Sequence, residues 1–91
     1  MIDELKSFIQ VVDEQNFTKA AQKLNLSQPA VSMHISGLEK QLDTILILRS
    51  NKQKNFLLTP DGELLYKRAK KIGSIIFGVG DSHTSFIWNK K

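Results

Sequence analysis

The chain has 91 residues, of which 41% are hydrophobic and 24% charged, with a net charge of +4 and no cysteine. These values describe one small folded domain, and the missing cysteine excludes disulfides, thiolate metal sites and thiol nucleophiles, as suits a reducing cytosol. No stretch reaches the ~18 apolar residues that a membrane span needs, and the start MIDELKSF, acidic and without a long apolar run, is unlike a secretory signal.

The charge is uneven along the chain. Residues 1–48 hold four lysines against six acids, a balance of −2, whereas residues 49–91 hold nine Lys and Arg against three acids, a balance of +6. A basic half beside an acidic half suggests a surface that faces a polyanion.

The first predicted helix spans 3–14, where Leu5, Phe8, Ile9 and Val12 recur at helical spacing behind Asp3 and Glu4. Asn16 breaks that pattern. Thr18 is expected to cap a short second helix over 19–24, with Ala20, Ala21 and Leu24 inward. Asn25 and Leu26 make a tight turn, and Ser27 then caps a third helix over 28–42, with Pro29 tolerated in its first turn. In this helix Val31, Ile35, Leu38 and Leu42 form one apolar stripe. The opposite face carries Gln28, Pro29, Ser32, Met33 and Ser36, with no acid between Gln28 and Leu38.

Two short apolar runs, Ile45–Leu48 and Phe56–Leu58, flank the polar, basic SNKQKN and read as a hairpin. Thr59 and Pro60 open a fourth helix over 60–72, with Leu64, Leu65, Ala69 and Ile72 as its apolar face and Lys67, Arg68, Lys70 and Lys71 near its end. Gly73 is expected to stop it. The last segment, 73–91, has three glycines and two apolar bursts without helical period, and is expected to be extended or irregular.

Helix, short helix, tight turn, longer helix, hairpin and helix together make a mainly α fold: a winged helix-turn-helix of three helices and a short β-hairpin wing over 1–59, followed by a linker or dimerisation helix over 60–72 and an atypical tail. Such a fold places one polar, acid-free helix in the major groove of DNA, its N-terminal residues toward base edges.

The run FTKAAQKLNLSQPAVSMHISGLEKQL, then Arg49 and LTPDGE, closely resembles the N-terminal DNA-binding domain of LysR-type transcriptional regulators over about residues 3–72. The motifs carrying the likeness are AA at 20–21, SQPAVS at 27–32, LE at 38–39 and LTPDG at 58–62. The resemblance implies that Gln28, Pro29, Ser32 and Met33 read bases, while Thr18, Ser27 and Ser36 lie near the DNA backbone. It implies that Arg49, Asn51, Lys52 and Lys54 form a wing on phosphates, and that the helix from Pro60 makes a homodimer contact through Leu64, Leu65, Ala69 and Ile72. The partner is double-stranded DNA, with an inverted-repeat site expected of a dimer. A cytoplasmic location is expected, without membrane, cofactor or metal, and no small-molecule effector is expected on this chain, because the family's effector domain lies beyond the matching part.

The chain departs from the family at Asp43, where glycine is usual, at Ile47, where phenylalanine is common, and at Ser36 and Gly37, often basic in relatives. Chemically, Gln28 can pair bidentately with adenine, and Met33 can touch a thymine methyl where many relatives place arginine. His34 and His83 lack ligand spacing, and His34 is expected at the groove edge or in solvent. Asp13/Glu14 and Asp61/Glu63 are expected as helix-start or solvated charges, and no catalytic constellation assembles, so the chain is not expected to be an enzyme. An alternative is a short interaction module that pairs with a full-length relative and blocks it.

Overall fold

The computed structural model describes residues 1–49 and 56–76, with side chains up to residue 71. Its elements are α1 (Ile2–Glu14), α2 (Phe17–Leu24), α3 (Gln28–Leu42), β1 (Ile47–Arg49), β2 (Phe56–Leu58) and α4 (Pro60–Ile76). The mainly α architecture is that of a winged helix-turn-helix, with α1 packed against α2, α3 and α4.

Phe8, Ile9 and Val11 of α1 meet Ala20 and Ala21 of α2 and Val31, Ile35 and Leu38 of α3 in a single buried cluster. The small side chains of α2 let its neighbours approach closely. Helix α1 ends at Gln15, which turns left-handed (φ 54°) and donates its N–H to the Val11 carbonyl at 2.8 Å.

Helix α2 begins two residues earlier than the sequence suggests. Asn16, not Thr18, is the cap: its backbone is extended, and its Oδ1 accepts from the Lys19 N–H at 2.8 Å. Asparagine caps at least as well as threonine, and the earlier start brings buried Phe17 into the helix.

The turn into α3 is built from two local devices. Asn25 is left-handed (φ 61°), with the Leu26 N–H on the Ala21 carbonyl at 2.9 Å and the Asn25 N–H on that of Gln22 at 3.2 Å. Ser27 then caps α3 as expected, its Oγ accepting from the Ala30 N–H at 3.2 Å. The inward stripe of α3 ends at Leu38; Leu42, expected to continue it, is 41% exposed because the helix has run past the core.

The strands are antiparallel, with Ile47 opposite Leu58, Leu48 opposite Leu57 and Arg49 opposite Phe56. The first begins later than expected because the backbone of Leu46 is engaged elsewhere: its N–H reaches Glu39 and its carbonyl accepts from the Thr59 N–H at 3.0 Å. Thr59 caps α4, its Oγ1 accepting from the Gly62 N–H at 3.0 Å and donating to the Ile45 carbonyl at 2.6 Å. A Cβ at Gly62 would sit 2.3 Å from the Leu46 carbonyl oxygen, so the LTPDG motif needs its glycine for this close approach. Helix α4 continues through Gly73 to Ile76, correcting the expected stop. A helical glycine costs about 1 kcal/mol but does not by itself terminate a helix. The rest of the tail, from residue 77 on, lies outside the described residues.

Candidate nucleic-acid interface

Helix α3 buries Val31, Ile35 and Leu38 and leaves its other side open. At successive turns the open side presents two adjacent rows: Gln28, Ser32 and Ser36, and Pro29, Met33 and Gly37. Gln28, Pro29 and Ser36 are exposed, Ser32 is half-buried and Met33 is 73% exposed. The first acid of the helix is Glu39, in its last turn. Fifteen residues at ~1.5 Å each give a rod of ~22 Å, long enough to lie along a major groove.

Arg49 borders this face. Its Nη1 donates to Ser32 Oγ at 3.2 Å, and its Cζ lies 4.2 Å from the centroid of the Phe17 ring. Phe17 in turn meets Phe56 edge-on at 5.6 Å. The strand register explains this placement: Arg49 lies opposite Phe56 and so shares the inward side of the hairpin with it, while Leu48 and Leu57 point out. The structure thus brings Arg49 and Ser32 together, which the sequence did not suggest. Thr18 and Ser27 are exposed at the starts of α2 and α3. Asn51, Lys52 and Lys54 lie outside the described residues, as does the side chain of Ile72.

Glu39 is a positioning residue that sequence reading left without a role. Its Oε2 accepts from the Leu46 N–H at 2.8 Å and the Ile47 N–H at 3.2 Å, tying the base of the hairpin to the last turn of α3. The available signal was an acid late in a helix a few residues before a strand whose first amides need acceptors.

Two expectations are corrected. His34 is not simply solvent-facing: it is half-buried, its Nδ1 2.7 Å from the hydroxyl of buried Ser7 on α1. Asp13 is not a solvated charge: it is 7% exposed and accepts a hydrogen bond from the Tyr66 hydroxyl of α4. Burial, and then the Asp13 carboxylate, push the Tyr66 phenol above its ordinary value. Lys70 closes the group, its Nζ 3.2 Å from the Tyr66 oxygen. At the other end of α1, the N-terminal ammonium 2.8 Å from Glu4 lowers that carboxyl's pKa.

Of the four apolar residues expected at a dimer contact on α4, Leu64 is 48% exposed, Leu65 is half-buried against the core, and Ala69, 2% exposed, belongs to the core of its own protomer. Among the described residues no helix is long and apolar enough to cross a membrane.

A helical trio with an open third helix braced by a hairpin defines a winged helix-turn-helix domain. Residues 2–63 match the family described as bacterial regulatory helix-turn-helix protein, lysR family, and the chain belongs to that family. It is similar to the HTH-type transcriptional regulator CysL of Bacillus subtilis, with 57% identity over 70 residues, covering 77% of this chain and 23% of CysL. It is 41% identical over 68 residues to BenM of Acinetobacter baylyi, covering 75% of this chain and 22% of BenM. The chain therefore spans less than a quarter of the length of these relatives. Among solved structures, the BenM_DBD/catB site 1 DNA complex matches with a TM-score of 0.78 and 38% identity, covering 85% of this chain and 84% of that one. The CbnR_DBD-DNA complex matches with a TM-score of 0.79 and 29% identity, covering 93% and 95%.

Proposed function

We propose that the chain binds double-stranded DNA sequence-specifically and serves transcription regulation as the DNA-binding part of a LysR-type regulator. Helix α3 seats in the major groove, with Gln28, Pro29, Ser32 and Met33 at base edges. Thr18, Ser27, Ser36 and Arg49, with Asn51, Lys52 and Lys54 of the hairpin loop, lie along the sugar-phosphate backbone. Two copies join along α4, with Leu64 on the open side, so the site is an inverted repeat. The domain binds rather than catalyses, and it works in the cytoplasm.

The observation that carries this reading is the outward side of α3: open, free of acids over its first eleven residues and flanked by Arg49. Support comes from the likeness to the BenM_DBD and CbnR_DBD structures, both DNA complexes by name. Selection of bound duplexes from a random pool, followed by a salt titration of the best site, tests it. The expected result is an inverted-repeat consensus whose affinity falls steeply with salt, by about 0.9 log units per log unit of salt for each phosphate neutralised. Recovery of no consensus, with salt-independent binding, contradicts it.

A further inference from the structure

Ser7 lies in the middle of α1 and is 1% exposed, so solvent does not reach its hydroxyl. The hydroxyl bonds to Nδ1 of His34 on α3, 2.7 Å away, and among the described residues it has no other partner. That fixes the direction of the bond. A hydroxyl has one proton to place, and leaving it unplaced in the interior carries the full desolvation penalty. The Ser7 proton therefore goes to Nδ1, which accepts, and the neutral ring carries its own hydrogen on Nε2. A second ring proton would occupy Nδ1. Ser7 would then accept instead of donate, and its own proton would be stranded without an acceptor.

Histidine is the side chain that ordinarily changes charge between pH 5 and 8. The charged groups around this pair are few. On α1, Glu4 senses His34 and is itself paired with the N-terminal ammonium at 2.8 Å, while Asp3 and Lys6 are exposed. On α2, Lys19 is exposed and Lys23 is held by Glu14 at 3.4 Å. One turn away along α3 stand Ala30, Val31, Gly37 and Leu38, none of them charged. Ser32 and Met33, on the open face, immediately precede His34 in the same helix, so the contact that ties α3 to α1 adjoins the face.

We infer that Ser7 and His34 form a proton-sensitive brace between α1 and α3: neutral His34 holds the groove helix in the orientation that reads sequence, and a proton taken up at Nδ1 releases it, so that recognition weakens in acid. His34 acts as a positioning residue, through the seat of α3 on α1, and the inference rests on the reading of α3 as the groove helix. The unfolded chain takes the same proton without losing a hydrogen bond. The stability that the brace contributes is therefore present at neutral pH and lost as pH falls.

Two variants of the full 91-residue chain separate the brace from other titrations. His34→Gln keeps an acceptor, the amide oxygen, and has no proton to gain; Ser7→Ala removes the hydroxyl that would be stranded. Affinities for a selected duplex and a scrambled one are measured at about pH 7.5 and about pH 5.5, spanning the histidine range, together with the urea midpoint of unfolding. Both duplexes carry the same phosphates, so the ratio of affinities sets general charge effects aside. In the wild type the ratio is expected to fall by about fivefold or more on acidification, the scale on which a buried polar group loses its partner, and the urea midpoint to fall with it. Both variants shrink these falls, and His34→Gln keeps the wild-type ratio at neutral pH. A wild-type ratio that holds in acid, or one that falls as far in both variants, as titration at His83 would produce, overturns the inference while the groove reading stands. A chain with no preference between the duplexes at either pH overturns both.

Discussion

Three backbone positions carry consequences out of proportion to their size. Gly62 is pressed so closely on the Leu46 carbonyl that a methyl group has no room. Gly62→Ala should destabilise the domain by about 1–3 kcal/mol, the usual range for overpacking, read as a lowered midpoint in urea. Asp43 ends α3 in the left-handed region at φ 55°, with the Thr44 N–H on the Glu39 carbonyl at 3.1 Å. Glycine, usual here in relatives, occupies that conformation without strain, so Asp43→Gly should stabilise by about 0.5–1 kcal/mol. Gly37 is the opposite case: a Cβ there meets nothing within 4 Å. Gly37→Ala should therefore raise stability by a similar ~0.5–1 kcal/mol through helix propensity. The departure at Asp43 was visible in the sequence as a departure. That the chain keeps the turn and pays in backbone strain was not, because the turn is specified by hydrogen bonds to Glu39 and Lys40 as much as by residue type.

At the scale of elements, helices were readable wherever apolar residues recur at 3.6-residue spacing, and α1 and α3 fall almost where that spacing puts them. The ends were less readable, because several groups compete to cap. Asn16 displaced Thr18, and Gly73 did not halt a helix with no left-handed turn there. Contacts between elements left only faint local traces. Glu39 joins α3 to the hairpin through two backbone amides. Glu39→Ala should leave both without that acceptor, lower stability by about 1–3 kcal/mol, and loosen the hairpin more than the helices, seen as faster amide exchange at Leu46 and Ile47. Tyr66 joins α4 to α1 through Asp13, 53 residues away in sequence. A phenol whose pKa is raised on folding keeps its proton when the unfolded chain has lost it. The stability it contributes is therefore complete below its unfolded pKa near 10 and declines as pH rises above that value. Unfolding free energies measured from pH 8 to 11 should fall along the alkaline limb. Tyr66→Phe should be less stable at pH 8 and show a shallower limb.

For the molecule as a whole, the uneven charge and the acid-free face of α3 are legible in the sequence as signs of a polyanion partner, and the motifs from AA to LTPDG mark the fold. What sequence could not supply was the arrangement around α3: His34 turned to Ser7 of α1, and Arg49 drawn onto Ser32 by the inward side of the hairpin. These depend on strand register and helix rotation, which residue types alone do not encode. The most direct measurement of whether this surface recognises sequence is the ratio of affinities for a selected duplex and a scrambled one of equal length, at fixed salt, in wild type and in the double variant Gln28→Ala with Ser32→Ala. Recognition through α3 predicts that the ratio collapses toward one while affinity for the scrambled duplex holds, since phosphate contacts remain. A ratio unchanged in the double variant would contradict it.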